Sequence, residues 1–376
     1  MTFTRSAWLD IDLGAIRHNI AEVQRYVGPN TAVFTVVKAN AYGHGLVPCA
    51  NACIQAGANG LAVALVEEGV ELRQAGVDGP ILIMGLALPD QSELIVSHRL
   101  SQTVSSADMV HAISKAAVAA GRTVGQEVGL HVKVDSGMGR IGVRPELFED
   151  LLDVVIAADG VSLEGVSTHI AWDETKELGK ADDQLAVFAA CAYRLSARGD
   201  SIRWRHASNS VMTVQRPAAR YEMVRVGLLT YGIPPAGGPE DLDLRPAMTL
   251  TARIAQLKQM SPGETLSYGG THTVEKTSRV ALLPIGYADG YPRSLSNRAD
   301  VLVHGKRCPQ VGRICMDQLL VDVSDVIEAA VGDEAVLLGR SGGEEITVWE
   351  LAEKADSIHH EIVSRMGSRL PRRFIE

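Results

Sequence analysis

An N-terminal (β/α)8 barrel of TIM type joined to a mainly β C-terminal domain is the α/β fold that the sequence predicts, on three observations. Eight short apolar runs recur between residues 32 and 229. Between most of them lie stretches such as VPCANACIQAG and ADDQLAVFAACAYRLSARG, whose apolar residues return every three or four positions, the period of a helix with one buried face. After the Pro/Gly-rich segment GIPPAGGPEDLDLRP (232 to 246) the alternation stops and β-like runs follow. Near-continuous apolar strands alternating with helices imply parallel pairing covered on both faces. Closure into a barrel is the economical arrangement for eight such units, although the pattern alone also fits an open doubly wound sheet.

The runs in order are AVFTVV (32 to 37), GLAVAL (60 to 65), PILIMG (80 to 85), SQTVS (101 to 105), VGLHVKV (128 to 134), LEGVSTHI (163 to 170), IRWRHA (202 to 207) and MVRVGLL (223 to 229). The fourth is polar, and the eighth has no evident helix after it. Beyond residue 246, LTARIAQLKQM, TSRVALLPIG, DVLVHGKRCPQVGRICMDQLLVDVS and DEAVLLGR are β-like and punctuated by Gly, Pro and Asp. At roughly 150 residues per domain, 376 residues suit two domains. The barrel is expected over 1–240, its first ten or so residues packing on the β domain, and the β domain over 241–376.

With 46% hydrophobic and 22% charged residues the chain has globular composition. Its 36 Lys+Arg against 45 Asp+Glu give a net charge of -9, which offers no general attraction to nucleic acid or to anionic membranes. No apolar run approaches the roughly 18 residues of a spanning helix, and MTFTRSAWLDIDL lacks a signal-peptide core, so a cytoplasmic protein is expected. The five cysteines (Cys49, Cys53, Cys191, Cys308, Cys315) are scattered and odd in number; they read as packing residues, with no zinc or other metal site.

In a barrel, chemistry sits where strands end, just past each apolar run. The first run ends VVKANAYGHG. A lysine there, Lys38, costs free energy unless it is paired, deprotonated or covalently bound, and a desolvated neutral amine is what Schiff-base chemistry needs. The plain alternative is a lysine snorkelling to the barrel mouth. The fifth run ends HVKVDSGMGRIG, placing Lys133, Asp135 and Arg140 around two glycines. The sixth gives His169, the seventh His206, Asn209 and Ser210, the eighth Arg225 and Gly227. Hydroxyl, amide and Gly groups at the last two strand ends are what a barrel uses to cradle a phosphate. In the β domain, Tyr268, Tyr287, Asp289, Arg313, Met316 and Asp317 fall in Gly-rich turns. Tyrosine has a reference pKa near 10 and serves as a base only beside a cation; ordinary turn tyrosines are the alternative.

Nine segments carry a resemblance to the bacterial alanine racemase family: LDIDLGAIRHN (9 to 19), VVKANAYGHG (36 to 45), HVKVDSGMGRIGV (131 to 143), HASNS (206 to 210), MVRVGLLTYGI (223 to 233), LSYGGTHT (266 to 273), PIGYADGY (284 to 291), VGRICMDQ (311 to 318) and GSRLPR (367 to 372). These are fold-type III enzymes that use pyridoxal 5'-phosphate (PLP). The resemblance implies the barrel and β domain, and a head-to-tail homodimer whose sites take residues from both chains. It implies interconversion of L- and D-alanine, supplying D-alanine for peptidoglycan. Lys38 would hold PLP and act as one acid/base; Tyr268 of the partner subunit would be the other, on the opposite face of Cα. Tyr42, Asn209, Ser210, Gly227 and Leu228 match cofactor positions, mostly at its phosphate. Arg140 matches the residue that contacts the catalytic tyrosine and the substrate carboxylate, and Lys133 a lysine carbamylated in many members. Arg225, with His169 in support, would face the pyridine nitrogen and leave it largely unprotonated, favouring reprotonation at Cα over transamination. Tyr287, Met316 and Asp317 would shape the substrate pocket.

One departure stands out. Where the family usually has a tyrosine within Asn-Tyr-Glu, this chain reads HHE, with His360 in its place. Alternatives that the residues leave open are a racemase for another small amino acid such as serine and a non-catalytic PLP-binding barrel. A PLP-dependent decarboxylase would carry a carboxylate at the position of Arg225, and the binding barrels lack the domain that carries Tyr268.

Overall fold

The computed structural model describes residues 5–171, 179–200, 202–239 and 241–376, and the chain divides into two compact units. One comprises Ile16–Ala41 and Leu46–Arg245. The other comprises the residues up to Ala15, the short segment Tyr42–Gly45, and Pro246–Glu376.

The first unit is built on eight parallel strands: β1 (Ala32–Val36), β2 (Gly60–Val63), β3 (Ile81–Ile83), β4 (Ser101–Val104), β5 (Val128–Lys133), β6 (Val161–Ser167), β7 (Trp204–His206) and β8 (Met223–Val226). Each pairs with the next in the chain, and β8 returns to pair with β1 through Ala32↔Met223 to Thr35↔Val226. Between β7 and β8 there is no ladder; a backbone bond from Arg225 N to Ser208 O (3.0 Å) draws the two ends together, so the barrel is nearly closed. All eight strands coincide with the apolar runs of the sequence, the polar fourth included. The open-sheet alternative is excluded by the β1–β8 pairing.

The eighth strand is followed only by a short 3-10 turn, Leu228–Tyr231. The helix Leu13–Val27, which precedes the barrel in sequence, covers that gap: Val23 packs with Val33, Val224, Val226 and Leu229 in one apolar cluster. Asn19, buried on the same helix, donates to Thr230 O (3.2 Å) and Arg245 O (2.9 Å) and accepts from Arg245 N (2.8 Å), satisfying backbone groups at the chain's exit from the barrel.

The second unit is mainly β. Its largest sheet runs Lys306–Pro309, Asp300–Val303, Glu334–Ser341, Met248–Arg253, Ala7–Asp12, Arg372–Ile375. The N-terminal strand is thus an internal member, antiparallel to one neighbour (Ala7↔Ala252) and parallel to the other (Leu9↔Arg372). Two helices, Val348–Ala355 and His359–Ser364, complete it. Among the described residues no helix is long and apolar enough to cross a membrane, and no group of His, Cys, Asp and Glu is arranged to hold a metal ion.

Candidate active site

Lys38 opens a turn that L-residues avoid. Ala39, Asn40, Ala41 and Tyr42 all have φ between 52° and 54°, one turn of left-handed helix without a glycine. Each such residue costs roughly 1–2 kcal/mol, so the turn has to be held from outside. Ala41 N donates to Val37 O (2.8 Å), and Asn40 Oδ1 accepts from Leu46 N (2.8 Å) at the start of the next helix. Ala39 N donates to Glu68 Oε1 (2.6 Å), while the other oxygen of Glu68 accepts from Ala64 N (2.8 Å) and Leu65 N (3.1 Å). One carboxylate therefore ties the end of β1 to the end of β2. Lys38 is left half-buried, and its pKa is lowered from the ordinary lysine value, first by burial and then by Arg140 and Arg225, with Glu68 opposing.

Around it the barrel mouth is cationic. Lys133, the last residue of β5, is 7% exposed. Burial, then Arg225 and Arg140, bring its pKa down to about 7. The loop that follows is shaped by Asp135, whose Oδ1 accepts from Gly137 N (3.1 Å) and Gly139 N (2.9 Å). At Gly142 (φ 136°) a Cβ would lie 2.4 Å from Asp135 N, so the loop closes on itself only with glycine there. Arg140, next to it, is exposed. His169 is half-buried, and burial with the nearby cations holds its pKa well below the usual histidine value.

Arg225 is 4% exposed in β8. Its Nη1 donates to His206 Nδ1 (2.6 Å) and His206 O (3.0 Å), and its Nη2 to Thr168 O (2.9 Å) and Ala207 O (3.2 Å). Among the described residues Nε forms no hydrogen bond. Burial lowers the pKa to about 10, so the guanidinium stays charged near neutrality. The imidazole that accepts from Arg225 is His206, the last residue of β7, while His169 lies close enough for the Arg225 charge to lower its pKa. Ser210 Oγ accepts from Gly227 N (3.0 Å) and Leu229 N (3.4 Å), gathering a hydroxyl and backbone amides at the ends of β7 and β8. Asn209 caps the short helix Ser210–Gln215, its Oδ1 accepting from Met212 N (3.0 Å).

In the second unit, Tyr42 is buried, which pushes its phenol pKa up. Its ring centroid lies 5.9 Å from that of His360. At Gly43 a Cβ would stand 2.2 Å from Val363 O, and Arg372 Nε donates to Gly43 O (2.8 Å), so the segment after Lys38 is locked in place. Tyr268 is 74% exposed, on a 3-10 turn entered through Ser267 at φ 61°; Ser267 Oγ anchors that turn by donating to Arg313 O (2.6 Å). Met316 is 53% exposed, and its carbonyl accepts from Ala288 N (3.0 Å) beside the partly exposed Tyr287. At Gly286 a Cβ would lie 2.2 Å from Cys315 O and 2.4 Å from Met316 O. Asp317 is paired with Arg369 (2.6 Å), and Asp289 is fully buried against Arg5 (2.7 Å). The structure thus gathers Lys38, Lys133, His169, Asn209, Ser210, Arg225, Gly227 and Leu228 in the barrel unit, with exposed Arg140 in a loop there. It places Tyr42, His360, Tyr268, Tyr287, Met316 and Asp317 in the other.

Two family models match this chain: alanine racemase, N-terminal domain, over residues 11–235, and alanine racemase, C-terminal domain, over 247–374. The chain belongs to the alanine racemase family. Relatives bearing that family's name include one from Desulfovibrio desulfuricans, 42% identical with all of both chains covered, and one from Symbiobacterium thermophilum, 43% identical over 98% of this chain and 97% of the relative. Among solved structures, alanine racemase from D-cycloserine-producing Streptomyces lavendulae superposes with a TM-score of 0.94 at 37% identity, covering 100% of this chain and 98% of that one. The Bacillus anthracis enzyme with bound L-Ala-P gives 0.91 at 34%, covering 100% and 96%. Members of the family are isomerases acting on amino acids.

Glu68, His131 and Glu164 did not stand out in the sequence. Glu68 sits at the third position of its helix, where a carboxylate ordinarily reaches back to backbone amides, and that position was its only signal. His131 lay inside an apolar run, and Glu164 in a run that read as a strand.

Proposed function

We propose that the protein interconverts L- and D-alanine, with PLP held covalently by Lys38 Nζ and each site completed by Tyr268 of a second copy. The observation that carries this reading is Lys38 itself: a lysine on a left-handed turn at a strand end, half-buried among cations, with its pKa lowered. That is the environment that raises the fraction of free amine, the form that attacks a carbonyl. The remaining residues fit the same cofactor. On the buried Arg225 side chain, Nε is the donor not spent on the four acceptors of its two terminal nitrogens and suits a ring nitrogen, and Ser210 Oγ with the amides of Gly227 and Leu228 suits a phosphate. Tyr42, Asn209 and His360 are assigned supporting places at the cofactor.

When bound, PLP supplies an aldehyde for the substrate amine and a conjugated ring that acidifies Cα–H. Lys38 moves a proton at Cα on one face, and the phenol of Tyr268 moves one on the other, which inverts the centre. Arg140 orients the substrate carboxylate and supplies the cation that a tyrosine base requires. Arg225 keeps its proton, so it holds the ring nitrogen as an acceptor and limits how far charge is drawn from Cα. Lys133, its pKa lowered to about 7 by burial and then by Arg225 and Arg140, has a sizeable free-amine fraction near neutrality, the form that takes up carbon dioxide; a carbamate there would be an anion near Arg140 where an ammonium would repel it. Tyr287, Met316 and Asp317 shape the substrate entrance from the partner's side. We assign the protein to the cytoplasm and its D-alanine to peptidoglycan.

The test is α-proton exchange of each alanine enantiomer in deuterated water by the PLP-loaded protein, with chiral analysis of the product. Exchange coupled to inversion from both enantiomers is expected. PLP binding without inversion of alanine would contradict the reading, and inversion of serine in its place would move the substrate.

A further inference from the structure

Within the barrel a chain of polar groups leads from Arg225 to residues that the proposed reaction leaves unused. Arg225 Nη1 lies 2.6 Å from His206 Nδ1, His206 Nε2 lies 2.7 Å from His131 Nδ1, and His131 Nε2 lies 3.2 Å from Glu164 Oε2. That oxygen also accepts from Ser101 Oγ (2.6 Å). The five residues come from five different strands: β8, β7, β5, β6 and β4.

The donors can run in only one direction. A guanidinium donates and cannot accept, so His206 Nδ1 must be bare and its proton must sit on Nε2. His206 Nε2–H then requires a bare Nδ1 on His131, whose proton goes to Nε2 and points at the carboxylate. Glu164 is the acceptor that terminates the series; burial opposes its charge, but His131 and Ser101 hold its pKa at about 2, so it is ionised.

The strands are built to make room for this series. Leu130 of β5 pairs with Leu163 of β6, but His131 pairs with Gly165, so Glu164 is an extra residue, a bulge that re-aims its side chain. A Cβ on Gly129 would lie 2.1 Å from Glu164 Oε2, and one on Gly165 would lie 2.6 Å from His131 Nδ1. Neither glycine has a positive φ, so both serve space and not backbone conformation. A bulge and two space-making glycines in a barrel wall weaken the strands that contain them, and what they accommodate is the Glu164–His131 pair.

We propose that Glu164 is a positioning residue: through His131 and His206 it fixes the tautomers of both imidazoles and thereby the aim of Arg225. This rests on the reading that Arg225 faces the cofactor's ring nitrogen. Without the carboxylate, His131 is free to carry its proton on Nδ1, where it meets the Nε2–H of His206 head-on and the series breaks back to Arg225.

The relay is tested first in the apoprotein, by imidazole 15N NMR. His131 and His206 should both carry the proton on Nε2, and Glu164→Leu should shift the resonances of both rings, whereas Glu164→Gln, which keeps an acceptor oxygen, should restore the wild-type pattern. In the PLP-loaded protein, Glu164→Leu should lower kcat by roughly tenfold, the scale of one lost buried hydrogen-bond partner, with KM little changed and the absorbance of the bound cofactor shifted; Glu164→Gln should recover most of kcat. A proton on Nδ1 of either imidazole in the wild type would overturn the proposal even if Glu164→Leu failed to fold. So would a Glu164→Leu protein with unchanged kcat and cofactor absorbance. A wild type that binds PLP but inverts no amino acid would overturn the proposed function and this role with it, while the apoprotein spectra would still decide whether the relay exists.

Discussion

Arg225 and Lys133 are enclosed by their own chain at 4% and 7% exposure, whereas Tyr268 and Met316 stand at 74% and 53%. The barrel half of the candidate site is preorganised: Arg225 spends both terminal nitrogens on four acceptors, and one carboxylate, Glu68, clamps the turn that carries Lys38. The β-domain half is equally well anchored in its backbone, through Ser267 to Arg313 and through Gly286 beneath Cys315 and Met316, but its side chains face outward. In the proposed function the outward-facing turn meets a second copy of the chain, and the closed half receives the cofactor. Under the proposed function, the difference is that of two half-sites, one enclosed and one presented outward.

The largest effect should follow from breaking the closed half. Lys38→Ala should abolish alanine racemisation, a loss on the order of 10⁴-fold or more in kcat, measured by chiral analysis. Removing the phenolic proton carrier of the open half, Tyr268→Phe, should cost on the order of 10²–10⁴-fold and unequally for the two enantiomers, read as a change in the ratio of their exchange rates in deuterated water. Equal losses from both enantiomers would break the assignment of one base to each half.

Gly286→Ala sharpens the comparison without touching a proton carrier. Its Cβ must displace two backbone carbonyls, a cost of about 1–3 kcal/mol, seen as a lowered melting temperature of the purified protein. Racemisation should fall while PLP binding, which the proposal assigns mostly to residues of the barrel half, is retained. The smallest effect should come from His360→Tyr: tyrosine keeps an aromatic ring beside Tyr42 and a hydrogen-bonding group, so activity should persist with PLP affinity altered only a few-fold, under about 1 kcal/mol, by cofactor titration.

Most of the barrel was legible because parallel strands buried on both faces leave apolar runs that survive even where, as in Ser101–Val104, the run is short and polar. The helix covering the eighth strand was not, since Leu13–Val27 lies at the other end of the barrel in sequence and only closure brings them together. The strand-end residues Lys38, Lys133 and Arg225 were legible from position. The left-handed conformation of Ala39 to Tyr42 was not: in Ala-Asn-Ala-Tyr only the Asn favours it, and much of the reason lies in Glu68, which is remote in the chain. Glu164 was hidden for a related reason, because a bulge exists only relative to the register of its neighbour. The hydrogen bond of His206 with Arg225 likewise depends on which strand ends adjoin.

The most direct test of two complementary half-sites is subunit mixing. Lys38→Ala and Tyr268→Phe proteins, each nearly inactive alone, should be mixed under conditions of confirmed chain exchange and assayed for alanine racemisation. If each site pairs Lys38 of one chain with Tyr268 of another, a hybrid dimer regains one intact site, and statistical exchange should restore about a quarter of wild-type activity. No recovery despite demonstrated exchange would mean that Lys38 and Tyr268 do not meet across chains, and the account of the open half would fall.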